Sequence, residues 1–172
     1  KAQAKCTMRN AGVPVIPGSN SLLSSPAEAL KLAEEVVYPV MLKATAGGGG
    51  KGIRKVENRD EMEKLYTAAQ TEAITSFGNG DLYLEKFIEK PRHIEIQIIG
   101  DTHGNVAHLG ERECSSQRRH QKLVEESPSA VVDEELRKRM GDAAIHGAKK
   151  IGYIGVGTIE FILDSNKDFF FM

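Results

Sequence analysis

An α+β fold is what this sequence predicts, and three observations predict it. Capped, amphipathic helical segments flank two short strands joined by a run of glycines in the first half. Strands with strict alternation of apolar and polar residues dominate from residue 82 onward, and a long helical stripe followed by a hairpin closes the chain.

The elements follow in order. The first dozen residues, KAQAKCTMRNAG, favour a helix that stops at Gly12, and VPVIPGS behind it reads as an extended connector. Ser25-Pro-Ala-Glu28 has the form of a capping box with proline at the first helical position, and the helix it opens carries Leu30, Ala33 and Val37 on one stripe. The apolar run YPVML then leads into KATAGGGGKGIRKV, residues 43 to 56, read as strand, glycine loop, strand. Asn58 caps a second helix whose Met62, Leu65, Tyr66, Ala69 and Ala73 share a face, and FGNGD closes it. Residues 16 to about 86 thus form a small unit carrying the glycine loop.

After it come the strands DLYLEKFIE, RHIEIQIIG and NVAHLGE, the last two joined by a DTHGN turn. In the middle strand Ile94, Ile96 and Ile98 face one way while His93, Glu95 and Gln97 face the other, leaving a polar face for a ligand. Asp133 caps a helix with Leu136, Met140, Ala143, Ala144, Gly147 and Ala148 on its stripe, and Gly152 ends it. The hairpin GVGTIEFIL, DSNK, DFFFM is last.

Composition narrows the function. With 23 Lys and Arg against 24 Asp and Glu, the formal charge of −1 gives no field for nucleic acid. No apolar run approaches the roughly 20 residues that span a bilayer, so no membrane role is expected. Cys6 and Cys114 are too few for a disulfide framework and wrongly spaced for zinc, which points to a reducing, cytoplasmic setting, or an organelle matrix if a targeting peptide has been removed. A chain without an initiator Met that stops at FFFM is expected to be part of a longer gene product.

Four consecutive glycines weaken any regular element, so their use must lie in the backbone: without a Cβ, successive N–H groups can converge on an anion, above all phosphate. The alternative is a flexible hairpin tip. Gly47, Gly49 and Gly52 satisfy G-x-G-x-x-G, but IRKVEN behind them reads as strand where a dinucleotide fingerprint needs a helix. Ile53 also stands where a Walker loop needs lysine. What remains is a hinged flap over nucleotide phosphates, with Lys43 on the incoming strand as a fixed charge. Glu160, a carboxylate in GTIEFIL, needs a cation. Either a nearby Lys or Arg pairs with it, or it holds a hard divalent ion whose other oxygens come from phosphates. ERECSSQRRHQKLVEE, 111 to 126, is either a solvated charge run or an internally paired surface that presents cations to a small anion. His103, His108 and His146 read as surface or packing residues.

Together MLKATAGGGGKGIR, LEKFIEKPRHIEIQIIGD, ERECSSQRRHQKLVEESPS and GYIGVGTIEFI resemble the ATP-grasp core of the biotin carboxylase family. The likeness runs the length of the chain, and QRRHQKLVEE is more informative than the glycines. It implies a truncated ATP-grasp fold: a linker helix at 1–15, a glycine-flap lid at 16–86 and the first part of the C-terminal antiparallel-sheet subdomain at 87–172. It also implies a reaction, in which ATP and bicarbonate give carboxyphosphate and CO₂ passes to biotin on a carrier protein. The cofactors are then ATP and Mg²⁺ or Mn²⁺. The partners are a biotin carboxyl carrier protein or domain and a carboxyltransferase component, as in acetyl-CoA carboxylase, with a homodimeric parent.

Residue by residue, the resemblance puts Lys1 and Lys43 on the phosphates beneath Gly49 and Gly50. The segment Glu85, Lys86, Phe87 and Ile88 meets adenine, with the Glu85 and Lys86 backbone on its edge. His93, Gln117 and His120 line the ribose and phosphates, and Ile162 packs on the base. Glu160 holds the metal and Lys122 contacts bicarbonate. In the family a second metal-binding Glu, an Asn, an Arg and another Glu lie beyond the last strand. No complete catalytic set is therefore expected in this chain, and alone it should be inactive. The competing readings are another bicarbonate-activating ATP-grasp ligase such as carbamoyl-phosphate synthetase, against which QRRHQK argues, and a non-catalytic nucleotide-binding module.

Overall fold

The computed structural model describes residues 2–46, 51–118 and 121–172. They form two compact units, one of Ile16–Ile88 and one of Gln3–Val15 with Glu89–Met172.

In the first unit, β1 (Val40–Ala44) is the centre of a three-stranded antiparallel sheet between β2 (Ile53–Val56) and β3 (Leu82–Lys86). Its Leu42 lies opposite Arg54 on one side and Leu84 on the other. Helices α2 (Pro26–Val36) and α3 (Met62–Phe77) cover the apolar side, where Ala29, Ala33, Val40, Leu42, Met62, Tyr66, Ala69, Ala73 and Leu84 form one core. Small residues on both helices let them lie close to the sheet.

The caps explain the helix limits. Ser25 Oγ accepts from the N–H of Glu28 at 3.2 Å, while Glu28 reaches back to the N–H of Ser24 at 2.7 Å, one residue earlier than in a regular capping box. Val37 corrects the sequence reading. It lies beyond the helix at φ 70° and is 62% exposed, so it leaves the apolar stripe. Its carbonyl accepts from Lys86 Nζ at 2.6 Å, which satisfies one of the free carbonyls at the end of α2. Asn58 caps a 3-10 turn, Arg59–Glu61, that leads into α3, and Gly78 at φ 69° ends that helix.

The second unit is a five-stranded antiparallel sheet in the order β6-β5-β4-β7-β8. These strands are β4 (Arg92–Gly100), β5 (Val106–Arg118), β6 (Gln121–Glu126), β7 (Gly155–Leu163) and β8 (Phe169–Phe171). Ile94, Ile96 and Ile98 are fully buried against α4 (Glu134–Lys150) and α1 (Ala2–Asn10), together with Met8, Leu136, Met140, Ala144 and Phe161. Gly141 of α4 lies against the ring of His108, where a Cβ would come within 2.5 Å of Nε2.

β5 is one continuous strand, joining NVAHLGE to the charge run that follows it. The run is paired rather than merely solvated, but mostly with residues outside it. Glu111 and Glu113 turn into the core side, where Arg137 donates to Glu111 from Nε and Nη2 at 2.7 and 2.8 Å. Arg92 Nη1 and Ser129 Oγ donate to Glu113 at 2.5 and 2.6 Å. Among the described residues no helix is long and apolar enough to cross a membrane.

Candidate functional site

The antiparallel register assembles a polar cluster on the other face of the larger sheet. Glu95 lies directly opposite Arg112 on one side and Glu160 on the other, His93 lies opposite Ile162, and Gln117 lies opposite Lys122. Two carboxylates at facing positions repel unless a cation joins them. Lys122 does so, with Nζ 2.8 Å from Glu160 Oε1 and in a shorter contact with Glu95 Oε2.

Glu95 is 3% exposed. Arg112 holds its other oxygen through Nε at 2.7 Å and through Nη2 at 2.5 Å. Burial alone would raise this carboxyl, but hydrogen bonds and charge from Lys122 and Arg112 outweigh it and hold the pKa below the ordinary value. For Lys122 burial works against the charge, and its bonds to Glu160 and Glu95 more than reverse that, so the ammonium stays protonated at any working pH. Arg112 Nη1 donates onward to Gln97 Oε1 at 2.9 Å, and Gln97 Nε2 donates to the Gly157 carbonyl at 2.8 Å.

His93 sits at the edge of the cluster. Gln117 Nε2 lies 2.8 Å from the Cys114 carbonyl and 2.9 Å from His93 Nδ1, so the amide NH₂ donates to both and the proton of the neutral ring falls on Nε2. That atom is buried, 3.4 Å from Glu160 Oε1, and makes no hydrogen bond among the described residues. Burial, more than the nearby Glu160 carboxylate, sets the histidine below its usual pKa, keeping it neutral near pH 7.

His93, Glu95 and Glu160 bring ligand atoms within 4.8 Å of one another. Both oxygens of Glu95 are taken by Arg112 and Lys122, so Glu160 is the carboxylate that can offer an oxygen to a hard cation. The pairing of Glu160 with Lys122 is the ion pair that the sequence left open beside the metal reading.

In the smaller unit Lys43 pairs with the buried Glu85 at 2.5 Å, while 27% of the lysine side chain stays exposed. The strands around the glycine loop are pinned at their base. Ala44 N–H donates to the Gly52 carbonyl at 2.8 Å, and Gly52 N–H donates to Glu72 Oε2 at 2.8 Å. The N–H groups of Lys86 and Phe87 are bonded to the carbonyls of Pro17 and Pro39, and Lys55 Nζ lies 4.2 Å above the Phe87 ring. Ile88 is half-buried. Lys1, Gly49, Gly50 and His120 lie outside the described residues.

Sequence reasoning singled out Lys122, Glu160, His93 and Gln117, and the structure brings them together. It missed Glu95 and Arg112, the pair that fixes Lys122. Alternation placed Glu95 on the polar face, but no local pattern says which carboxylate on that face a cation will bury.

Comparisons with known proteins identify the family and the fold. A family described as the carbamoyl-phosphate synthase L chain, ATP binding domain, matches residues 1–172. The chain is 58% identical over its full length to a biotin carboxylase of Nostoc and 53% identical to biotin carboxylase 1 of Bacillus subtilis, spanning 38% of each. The crystal structure of a biotin carboxylase–β,γ-ATP complex from Campylobacter jejuni superposes with TM-score 0.92 at 58% identity, covering 99% of this chain and 38% of that one. The biotin carboxylase domain dimer of Hydrogenobacter thermophilus 2-oxoglutarate carboxylase, solved with MgADP, ADP and bicarbonate, gives 0.91 at 51% identity, covering 99% of this chain and 38% of its own. The chain has the ATP-grasp fold of these enzymes and belongs to the family of carbamoyl-phosphate synthase L chain ATP-binding domains, alongside the biotin carboxylases.

Proposed function

We propose that this chain is the ATP- and Mg²⁺-binding core of a biotin carboxylase, whose parent protein uses ATP to activate bicarbonate as carboxyphosphate and carboxylates biotin on a carrier protein. The observation that carries this reading is the cluster of His93, Lys122 and Glu160, in which the buried His93 Nε2–H makes no hydrogen bond among the described residues and has the Glu160 carboxylate only at 3.4 Å. A buried donor without an acceptor is costly, and a nucleotide hydroxyl or phosphate oxygen would relieve it.

In this reading Lys43, Gly49, Gly50 and Lys1 hold the phosphates, and the backbone of the Glu85–Ile88 segment meets adenine. Gln117 orients His93, His120 lies near the ribose and phosphates, and Ile162 packs on the base. Glu160 fits the metal as one oxygen ligand, with phosphate oxygens supplying others, and the divalent ion would offset charge between the two anions. Lys122 holds bicarbonate. As a bicarbonate oxygen attacks the γ-phosphorus and the bond to ADP breaks, fixed cations stabilise the charge spread over the transferring group. A carrier, a carboxyltransferase and a dimeric parent belong to the same proposal; the Hydrogenobacter relative is a dimer. The setting is cytoplasmic or an organelle matrix, and chloroplastic relatives support the second.

The test is phosphate release by the full-length gene product with bicarbonate and free biotin supplied separately. Release that needs both supports the proposal. Release that needs bicarbonate and is indifferent to biotin would place the protein with the carbamoyl-phosphate synthetases.

A further inference from the structure

We propose that Lys122 couples the metal position to the anion position. Its ammonium is shared between two carboxylates, and drawing Glu160 into the shell of a divalent cation releases it to a small oxyanion while Glu95 keeps it in place. This rests on the reading of Lys122 as the bicarbonate contact.

The two carboxylates are unequal. The Glu95 side chain is 4% exposed and locked by Arg112, which is itself tied to Gln97 and through it to the backbone of β7. The Glu160 side chain is 39% exposed, and its contacts with described side chains are Lys122 at 2.8 Å and His93 at 3.4 Å. Only Glu160 can change partner without breaking a buried network.

The charges point the same way. Glu95 and Glu160 balance Arg112 and Lys122, and Glu125, 3.4 Å from Arg112 Nε, adds a further negative charge at the rim. His93 is neutral. A bicarbonate ion entering this cluster would meet a lysine already satisfied twice, among described paired side chains that carry no net positive charge. Once Glu160 turns to a divalent cation, the ammonium has one carboxylate partner left and a free face, and the local charge becomes positive. Anion and metal should therefore bind with positive coupling, and by linkage each should strengthen the other to the same degree.

The experiment uses the full-length protein with ADP in every arm. Bicarbonate dissociation constants are read from the rise in unfolding temperature during titration at constant ionic strength, with EDTA or with saturating Mg²⁺. The wild type should bind bicarbonate about fivefold or more tightly with Mg²⁺, the lower end of typical coupling. Glu160→Gln removes the competing carboxylate, so in EDTA it should bind bicarbonate more tightly than wild type by a similar factor, with little further gain from Mg²⁺. Glu160→Ala is the second neutralising variant should the first fold poorly. Bicarbonate binding in EDTA no tighter in these variants than in wild type overturns the coupling. Lys122→Ala separates the two layers. If it leaves bicarbonate affinity in Mg²⁺ unchanged, the assignment of Lys122 itself fails. If it weakens binding while Glu160→Gln changes nothing, only the coupling fails.

Discussion

Glu111 is a carboxylate turned toward an apolar core, and it survives there because its partners outweigh its burial. Burial would raise its pKa, yet Arg137 and the N–H of Ser129 hold it below the ordinary value. Glu111→Gln keeps the shape and removes the charge. Because Arg137 stays partly open to water, the loss of stability should be about 2 kcal/mol, below the usual figure for a fully buried pair; urea unfolding measures it. Glu95 and Glu113 are held down in the same way, by Lys122 with Arg112 and by Ser129 with Arg92. The sign follows. These groups stabilise the folded chain fully above the ordinary glutamate value of 4.5 and lose that contribution as pH falls through their lower folded values. A plot of unfolding free energy against pH should decline on the acid side, and Glu111→Gln should flatten that decline. Cys114 gives a residue-level check of burial. Desolvation pushes its thiol up to about 11, so at pH 8 it should resist alkylation until the protein unfolds.

Helices were legible because their signals are local: Ser25 and Asp133 cap where the sequence says, Asn58 caps the 3-10 turn just ahead of α3 rather than α3 itself, and the apolar stripes of α3 and α4 face their cores. Val37 failed because the chain leaves the helix at its last periodic position, two residues before Pro39, and its carbonyl then accepts from Lys86 of a strand far along the sequence. β5 was read only in part because its charged residues find partners on β4, α4 and the segment before α4, which no window of sequence contains. Two substitutions probe elements directly. Ser25→Ala should cost about 1 kcal/mol by removing the cap of α2, seen as a lower unfolding temperature. Gly18 pairs with Glu85, and a Cβ there would lie 2.8 Å from Glu85 Cα and closer still to the Leu84 carbonyl. Gly18→Ala must therefore move backbone, with an expected loss of about 2 kcal/mol, larger than that of the cap.

At the scale of the molecule, each unit places one lysine against a buried carboxylate: Lys43 on Glu85 in the smaller, Lys122 on Glu95 in the larger. Each ammonium is fixed by a partner that cannot follow it into water, yet 27% and 30% of the respective lysine side chains stay exposed. The lysines were legible as candidates, Lys43 from its place after a buried strand and Lys122 from its charge run. Their anchors were not, since a pair between strands is a property of register. The central claim is that these two lysines serve different anions, nucleotide phosphate and bicarbonate. The most direct measurement is ATP affinity and bicarbonate KM for Lys43→Ala and Lys122→Ala in the full-length protein. Lys43→Ala should weaken ATP binding by about tenfold or more, as expected for loss of a charge-assisted contact, and Lys122→Ala should raise the bicarbonate KM while ATP affinity stays near wild type. Equal effects of the two variants on ATP affinity would contradict the account.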